Sequence, residues 1–357
     1  MNQSNTKVYT KPTIKHVAEL ARVSQGTVSH FINGRTNICS ETTGQRIRKA
    51  ISDLNFVPAR SIYHQQTRST QTIGVCVSPP PPHGDAFNYT QLHDFWSGMT
   101  AEADKLGYKL LHFPSAIRDA ENCDAFLDGS IDGLLISAIT SNKRFQTLAQ
   151  AGMPAVAIAR WNELPPSVGA VWSDDAVTID LAMNHLWALG HRQIAHLAAC
   201  EISPLRSDVA AVRLARYWSW LSEHDEAPWE LVISCPSWDP LSFEDAKECL
   251  RRMLDGSNPA TAVVCANDAI AFSILHAASV LGVKVPQDLS VVGIDNDLHC
   301  IMTDPPLTSV ELPFLEIGRE SVKVLNSLMT GSPVSDRHLA IPVTKLVVRD
   351  STGPVDR

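Results

Sequence analysis

Apolar residues recur at three- and four-residue spacing near the start of the chain and in short unbroken runs beyond residue 72. Ile14, Val17, Ala18 and Ala21 share one face of a helix predicted over residues 13–20, with Thr13 as its N-cap. Val28, Phe31 and Ile32 mark a second helix over residues 24–32, capped by Ser24. Only Ala21-Arg22-Val23 separates them, and two short helices joined so tightly form a helix-turn-helix. Beyond the turn dipeptide Asn33-Gly34, a third helix is predicted over residues 41–55, with Ser40 as cap and Ile47, Ala50, Ile51 and Leu54 facing the core.

From Ile73 onward the pattern changes to short apolar strands, predicted over residues 73–77, 109–113, 133–137, 155–159, 193–198, 231–234, 262–265 and 290–294. Helical stretches fill the gaps, for example over residues 177–189, 209–221 and 270–281. This alternation predicts parallel sheets with crossover helices, grouped in two Rossmann-like lobes. The expected fold is an all-α helix-turn-helix head (1–57), a polar linker or hinge containing Pro58 (58–72), and an α/β body of two lobes. The first lobe is assigned residues 73–161 and 296–320, the second 162–295 and 321–350, and residues 351–357 are left as a tail.

Composition sharpens this picture in two ways. The chain of 357 residues is 44% hydrophobic and 19% charged, an ordinary balance for a globular protein, and holds no run near the roughly 20 apolar residues of a membrane helix. Its polar start, Met1 to Lys11, has no apolar segment followed by a small-residue cleavage site, so the cytoplasm is the expected location. The net charge of −8 is unevenly shared: residues 1–72 carry ten Lys/Arg against three Asp/Glu, so the head is basic and the body strongly acidic. A basic head on an acidic body suits a polyanion-binding module. The eight cysteines are scattered without a C-x-x-C pair, and are expected as reduced, mostly buried thiols rather than metal ligands. Neither a metal nor a cofactor is expected.

The second helix exposes Gln25, Gly26, Ser29 and His30, flanked by Thr27 and Asn33. These are short hydrogen-bonding groups suited to base edges and phosphate oxygens, not the Glu/Lys mixture of a merely solvated helix. In the body, several predicted strands end in polar residues: Ser78, Arg160, Asn267-Asp268 and Asp295-Asn296-Asp297. Ligands in such folds sit at strand C-termini, while each residue alone also reads as a helix cap or turn. Hydrolase, metalloprotease, P-loop and dinucleotide motifs are all missing, which argues against an enzyme. A periplasmic-type solute-binding protein is disfavoured by the basic head.

The run from Thr13 to Ser29, TIKHVAELARVSQGTVS, continued by Asn33-Gly34, Val57-Pro58 and Thr72-Ile73-Gly74-Val75, resembles the lactose-repressor (LacI/GalR) family. So do Leu189-Gly190-His191-Arg192-Gln193-Ile194-Ala195, Ala266-Asn267-Asp268, Val291-Val292-Gly293-Ile294-Asp295 and Pro306-Leu307-Thr308-Ser309-Val310. The resemblance implies a periplasmic-binding-protein-like sensor body and a homodimer on a pseudo-palindromic double-stranded DNA operator. It further implies a small-molecule effector, a sugar or related metabolite, between the lobes. It places Gln25, Gly26 and His30 on bases, Thr13, Thr27, Ser29 and Asn33 on phosphates, and Gln65 at the minor-groove wedge of the hinge. It places Arg213, Asn267 and Asp295 on the effector, with Ser78, Arg160 and Trp238 as further cleft residues. Trp238 could equally be a surface or core residue, and Arg213 a surface Arg. Several positions depart from the family: His30 stands for a usual Arg, Arg22 for a common turn Gly, Phe56 for Tyr, polar Gln65 for an apolar wedge, and Arg216 for a small Gly. The C-terminus lacks the heptad pattern of a tetramerising coiled coil.

Overall fold

A computed structural model describes residues 13–32, 39–54, 56, 69–76, 89–113, 123–136, 142–158, 163–199, 209–224, 231–235, 239–332 and 336–355. Contacts divide the chain into two compact units, Met1–Thr70 and Gln71–Arg357.

The head holds α1 (Ile14–Ala21), α2 (Gln25–Ile32) and α3 (Glu41–Asp53). Each starts where a polar side chain meets an orphan amide. The extended Thr13 donates its own N–H to His16 Nδ1 at 3.0 Å, Ser24 Oγ accepts from Thr27 N at 3.0 Å, and Ser40 Oγ accepts from Thr43 N at 3.3 Å. Val17, Ala18, Ala21, Val28, Ile47, Ala50 and Phe56 close the core. Arg22 ends α1 in the left-handed conformation (φ 54°, ψ 52°), and its N–H reaches Glu19 O at 3.2 Å. That conformation is one that glycine adopts without steric cost. Replacing Arg22 by Gly is expected to stabilise the head by about 1 kcal/mol, read as slower amide hydrogen exchange in α1 and α2. Unchanged or faster exchange would show that the turn carries no strain.

The body contains two six-stranded sheets. The first orders its strands β11-β5-β4-β3-β1-β2, from β1 (Thr72–Cys76), β2 (Lys109–His112), β3 (Gly133–Ile136), β4 (Ala155–Ala157), β5 (Val168–Ser173) and β11 (His338–Ile341). The second runs β12-β10-β9-β8-β6-β7, from β6 (Ile194–Ala199), β7 (Val232–Cys235), β8 (Ala262–Cys265), β9 (Ser290–Asp295), β10 (Thr308–Glu311) and β12 (Lys345–Val347). All pairings are parallel except β10–β12. The central strands are buried along their whole length, as parallel strands covered on both faces must be. The first lobe carries helices α4 (Tyr89–Lys105) and α5 (Asn142–Gln150); the second carries α6 (Asp175–Ala188), α7 (Val209–His224), α8 (Phe243–Leu254) and α9 (Asp268–Leu281). Helix α10 (Phe314–Thr330) packs on α4, β3, β4 and β5.

The lobe boundaries read from the sequence are corrected by this pairing. Strand β5 belongs to the first sheet, so the first passage into the second lobe comes at Asp174, not near residue 161. Residues 296–311 stay in the second lobe through β10, and 314–341 form α10 and β11 of the first lobe. Among the described residues the chain thus passes between lobes three times, at Asp174, at Leu312-Pro313 and at residues 342–344. Asp174 N donates to Ile341 O at 3.0 Å, tying the first passage to the third. Four strands escaped the apolar pattern. β11 and β12 are edge strands with mostly exposed or half-buried residues, while β5 and β10 are built partly of Gly, Ser, Thr and Glu. All four owe their extended state to neighbours distant in sequence.

Residues 351–355 are no free tail. Ser351 is buried, donates to Val291 O at 2.6 Å and accepts from Thr308 N at 2.8 Å, while Val355 N donates to Leu189 O at 3.1 Å. Of the described cysteines, Cys76, Cys123, Cys235, Cys249, Cys265 and Cys300 are buried free thiols and Cys39 is partly buried. Among the described residues no helix is long and apolar enough to cross a membrane.

Candidate DNA-reading face and inter-lobe cleft

Helix α2 turns Val28 into the head core, which leaves Gln25 and Gly26 exposed and Thr27, Ser29 and His30 half-buried on its flanks. Thr27 is partly committed, since its Oγ1 shares a 2.8 Å hydrogen bond with Ser24 Oγ. Thr13 lies exposed at the start of α1. No acidic residue lies on α2, so the face repels no polyanion. A shallow concavity between the end of α1 and the start of α2 sets Lys15 and Arg22, together with Glu19, beside Gln25 and Ser24. Those two cations were not singled out from sequence; their signal was the basic charge of the head. Asn33 and Gln65 lie outside the described residues.

The second site is built where strands of the second sheet end. Arg213, on α7, is 3% exposed and is not the surface residue that its helix allowed. Its Nε and Nη2 converge on Asp175 Oδ1 at 3.0 and 2.8 Å, and its Nη1 donates to Ala266 O at 2.5 Å. One guanidinium therefore joins α7 to the first residue of α6, just past the first lobe passage, and to the end of β8. Burial pushes the Asp175 carboxyl up, and the Arg213 charge opposes that shift. Asn267 follows β8 and caps α9, its Oδ1 accepting from Ile270 N at 2.9 Å. Beneath it Asp268 is buried, its Oδ1 accepting from Ser309 Oγ at 2.6 Å and its Oδ2 from Asp297 N at 2.7 Å and Cys300 Sγ at 3.1 Å. Burial pushes this carboxyl up to about 7.

Asp295, the last residue of β9, and Asn296 after it have consecutive positive-φ backbones, φ 125° and 54°. Non-glycine residues hold such conformations where surrounding structure over-determines them. Here Asn296 N donates to Ser309 Oγ at 3.0 Å, Asn296 Nδ2 to Glu311 Oε2 at 2.8 Å, and Arg349 Nη2 to Asn296 Oδ1 at 2.7 Å. The result is a cavity of about 260 Å³ beside the second lobe passage, lined by Asp295, Asn296 and Asp297, by Glu311 to Glu316, and by Asp94 of α4. Of the residues predicted for the cleft, Asp295 lines this cavity, Asn267 caps the neighbouring helix, and Arg213 braces the strand end between them. Ser78, Arg160 and Trp238 lie outside the described residues. Asp94, Glu311, Phe314 and Glu316 were not singled out from the sequence, while Asp297 was named there only among the polar residues that follow strands. The P-L-T-S-V run immediately before Glu311 was the available signal, but only the passage between lobes turns residues 311–316 into a wall.

Residues 13–59 match the model of bacterial regulatory proteins of the lacI family, and residues 183–352 match the periplasmic binding protein-like domain. The chain is 30% identical to the HTH-type transcriptional regulator CelR of Thermobifida fusca over 96% of this chain and 98% of that one. The chain belongs to the lacI family. A second member, the ribose operon repressor of Haemophilus influenzae, is 28% identical over 95% of this chain and 98% of its own length. Among solved structures, the lac repressor dimer bound to operator and the anti-inducer ONPF superposes with a TM-score of 0.76 at 26% identity, covering 96% of this chain and all of that one. These relatives are transcription regulators rather than enzymes, and the two-unit architecture found here is that of the family.

Proposed function

We propose that this chain is a cytoplasmic transcriptional repressor that binds a pseudo-palindromic operator as a homodimer and is controlled by a small molecule held between its lobes. The observation that carries the DNA reading is helix α2, whose outward face offers Gln25, Gly26, Ser29 and His30 with no acid. Gln25 and His30 read base edges there; Thr13, Thr27, Ser29 and Asn33 hold phosphates, joined by Lys15 and Arg22. Dimerisation is supported by the lac repressor dimer and by an apolar patch on the second lobe, where Leu298, Ile301 and Met302 are 62, 61 and 74% exposed. The effector reading rests on the cavity beside the lobe passage and on two relatives, the ribose operon repressor and a CelR–cellobiose complex. A ligand that favours one inter-lobe angle changes operator affinity, and operator changes ligand affinity by the same factor.

The test is operator selection from a random DNA pool with wild type and Gln25→Ala. A two-fold symmetric logo is expected for wild type. Loss of one Gln–base pair contact is expected to weaken binding to that logo by about 1–3 kcal/mol per half-site and relax preference at one symmetric position. An identical logo from Gln25→Ala would remove α2 as the reading element.

A further inference from the structure

We propose that Cys249 and Cys235 form an oxidant-sensitive thiol pair: a hydroperoxide oxidises Cys249, and Cys235 then closes a disulfide that ties helix α8 to strand β7. Three buried cysteines of the second lobe, Cys235, Cys249 and Cys265, belong to one core cluster. The strand register sets Cys235 opposite Ala199 and Cys265 opposite Leu197, so both point to the same side of the sheet. Cys249 stands on the buried stripe of α8, with Ala246, Leu250 and Met253. Its sulfur accepts a hydrogen bond from the Cys235 thiol. Strand β7 is the edge of its sheet, so this contact lies at the margin of the lobe and not at its centre.

Buried free cysteines ordinarily serve as small apolar groups. Cys265 and Cys300 fit that role, and burial pushes both thiols up. Cys249 differs in contact, charge and position. The hydrogen bond from Cys235 holds its thiol below the ordinary value, and the Arg252 guanidinium one turn along α8 acts in the same direction, against burial and the charges of Asp245 and Glu248. Cys249 is also 7% exposed, against 2% for Cys235 and 0% for Cys265, so a reagent as small as hydrogen peroxide meets it first. The Cys249 thiolate attacks one peroxide oxygen: the S–O bond forms, the O–O bond breaks, and the departing oxygen takes up the proton that Cys249 gave up. Cys249 is thereby oxidised by two electrons to the sulfenic acid, and the hydroperoxide is reduced to an alcohol, or to water when it is hydrogen peroxide. The Cys235 sulfur then attacks the Cys249 sulfur. The S–S bond forms, the S–O bond breaks, and hydroxide leaves as water with the Cys235 proton. Two thiols and one hydroperoxide thus give one disulfide, one alcohol and one water.

Treating the folded full-length protein with a small molar excess of hydrogen peroxide tests this. The protein is then unfolded, its remaining thiols are alkylated, and its peptides are read by mass spectrometry. A Cys235–Cys249 cross-linked peptide is expected, with both thiols recovered for alkylation after dithiothreitol. Cys235→Ala is expected to stop the reaction at the Cys249 sulfenic acid, trapped as its dimedone adduct. Cys249→Ala is expected to abolish the cross-link and slow oxidation of Cys235 about tenfold or more. Cys265→Ala is expected to leave the cross-link in place. The wild-type peptide map decides the proposal even if an alanine variant fails to fold. Cys235 and Cys249 both remaining alkylatable after peroxide overturns the pair, as does a disulfide from either of them to any other cysteine. Oxidation confined to the partly buried Cys39 overturns it as well.

Discussion

Arg213→Ala is expected to destabilise the second lobe by about 3–5 kcal/mol, the cost of removing one partner of a buried ion pair and leaving the other charge uncompensated. The sequence alone suggests a different outcome. An effector-holding Arg on a helix surface would be replaced without loss of fold and with loss of effector response. Burial changes that expectation, because Arg213 and Asp175 are each 3% exposed and the guanidinium also carries the Ala266 carbonyl. Asp175→Ala is expected to cost a similar amount. The double variant Arg213→Met/Asp175→Leu is expected to recover a large part of the loss, since apolar replacement of a buried pair is often close to neutral. Urea unfolding of wild type, the two alanine variants and the double variant Arg213→Ala/Asp175→Ala measures the coupling. Additive losses would show that the two side chains do not stabilise each other. Any effector defect in Arg213→Ala must therefore be read at a temperature where the lobe is folded. Arg213→Lys keeps the charge but not the converging N–H pair, so an intermediate loss is expected.

Gly318→Ala is the second large effect, expected to cost about 3 kcal/mol, at the upper end for overpacking a rigid site. Helices α4 and α10 cross with Gly98 and Gly318 at the contact. A methyl on Gly318 would overlap the Phe95 carbonyl oxygen and the Met99 amide, and one on Gly98 the Leu315 carbonyl oxygen. These obstacles are backbone atoms, which cannot rotate aside, so the helices must separate. The gain in helix propensity from Gly to Ala, about 1 kcal/mol, is smaller than this cost. Because Phe314 and Leu315 begin α10 and also line the inter-lobe cavity, separation would reach the cavity proposed for the effector. A lowered urea midpoint accompanied by weakened effector response is the expected result. A wild-type midpoint would mean that the crossing is looser than described.

The head was legible in the sequence because its determinants are local. Caps at Thr13, Ser24 and Ser40 and apolar positions at helical spacing mark three helices to within two residues of those found, and α2 turns outward the polar residues that its pattern left off the core. The α/β body was legible for the same reason where strands are apolar throughout, as in β3 and β8. Its lobe boundaries were not, because membership of β5, β10, β11 and β12 is settled by hydrogen bonds to strands far away in sequence, and polar edge strands leave little local trace. Family likeness could place Arg213 in the cleft, but not disclose that its charge is spent on Asp175. A solvent-facing and an interior Arg differ only in what the fold packs around them. Nor could Asp94, Asp297, Glu311 and Glu316 be seen as one acidic wall, since they come from separate stretches that meet only where the chain passes between lobes. Residue type and spacing determined the three head helices and the wholly apolar strands; the passages between lobes decided which charges face one another, because that depends on distance in space and not along the chain.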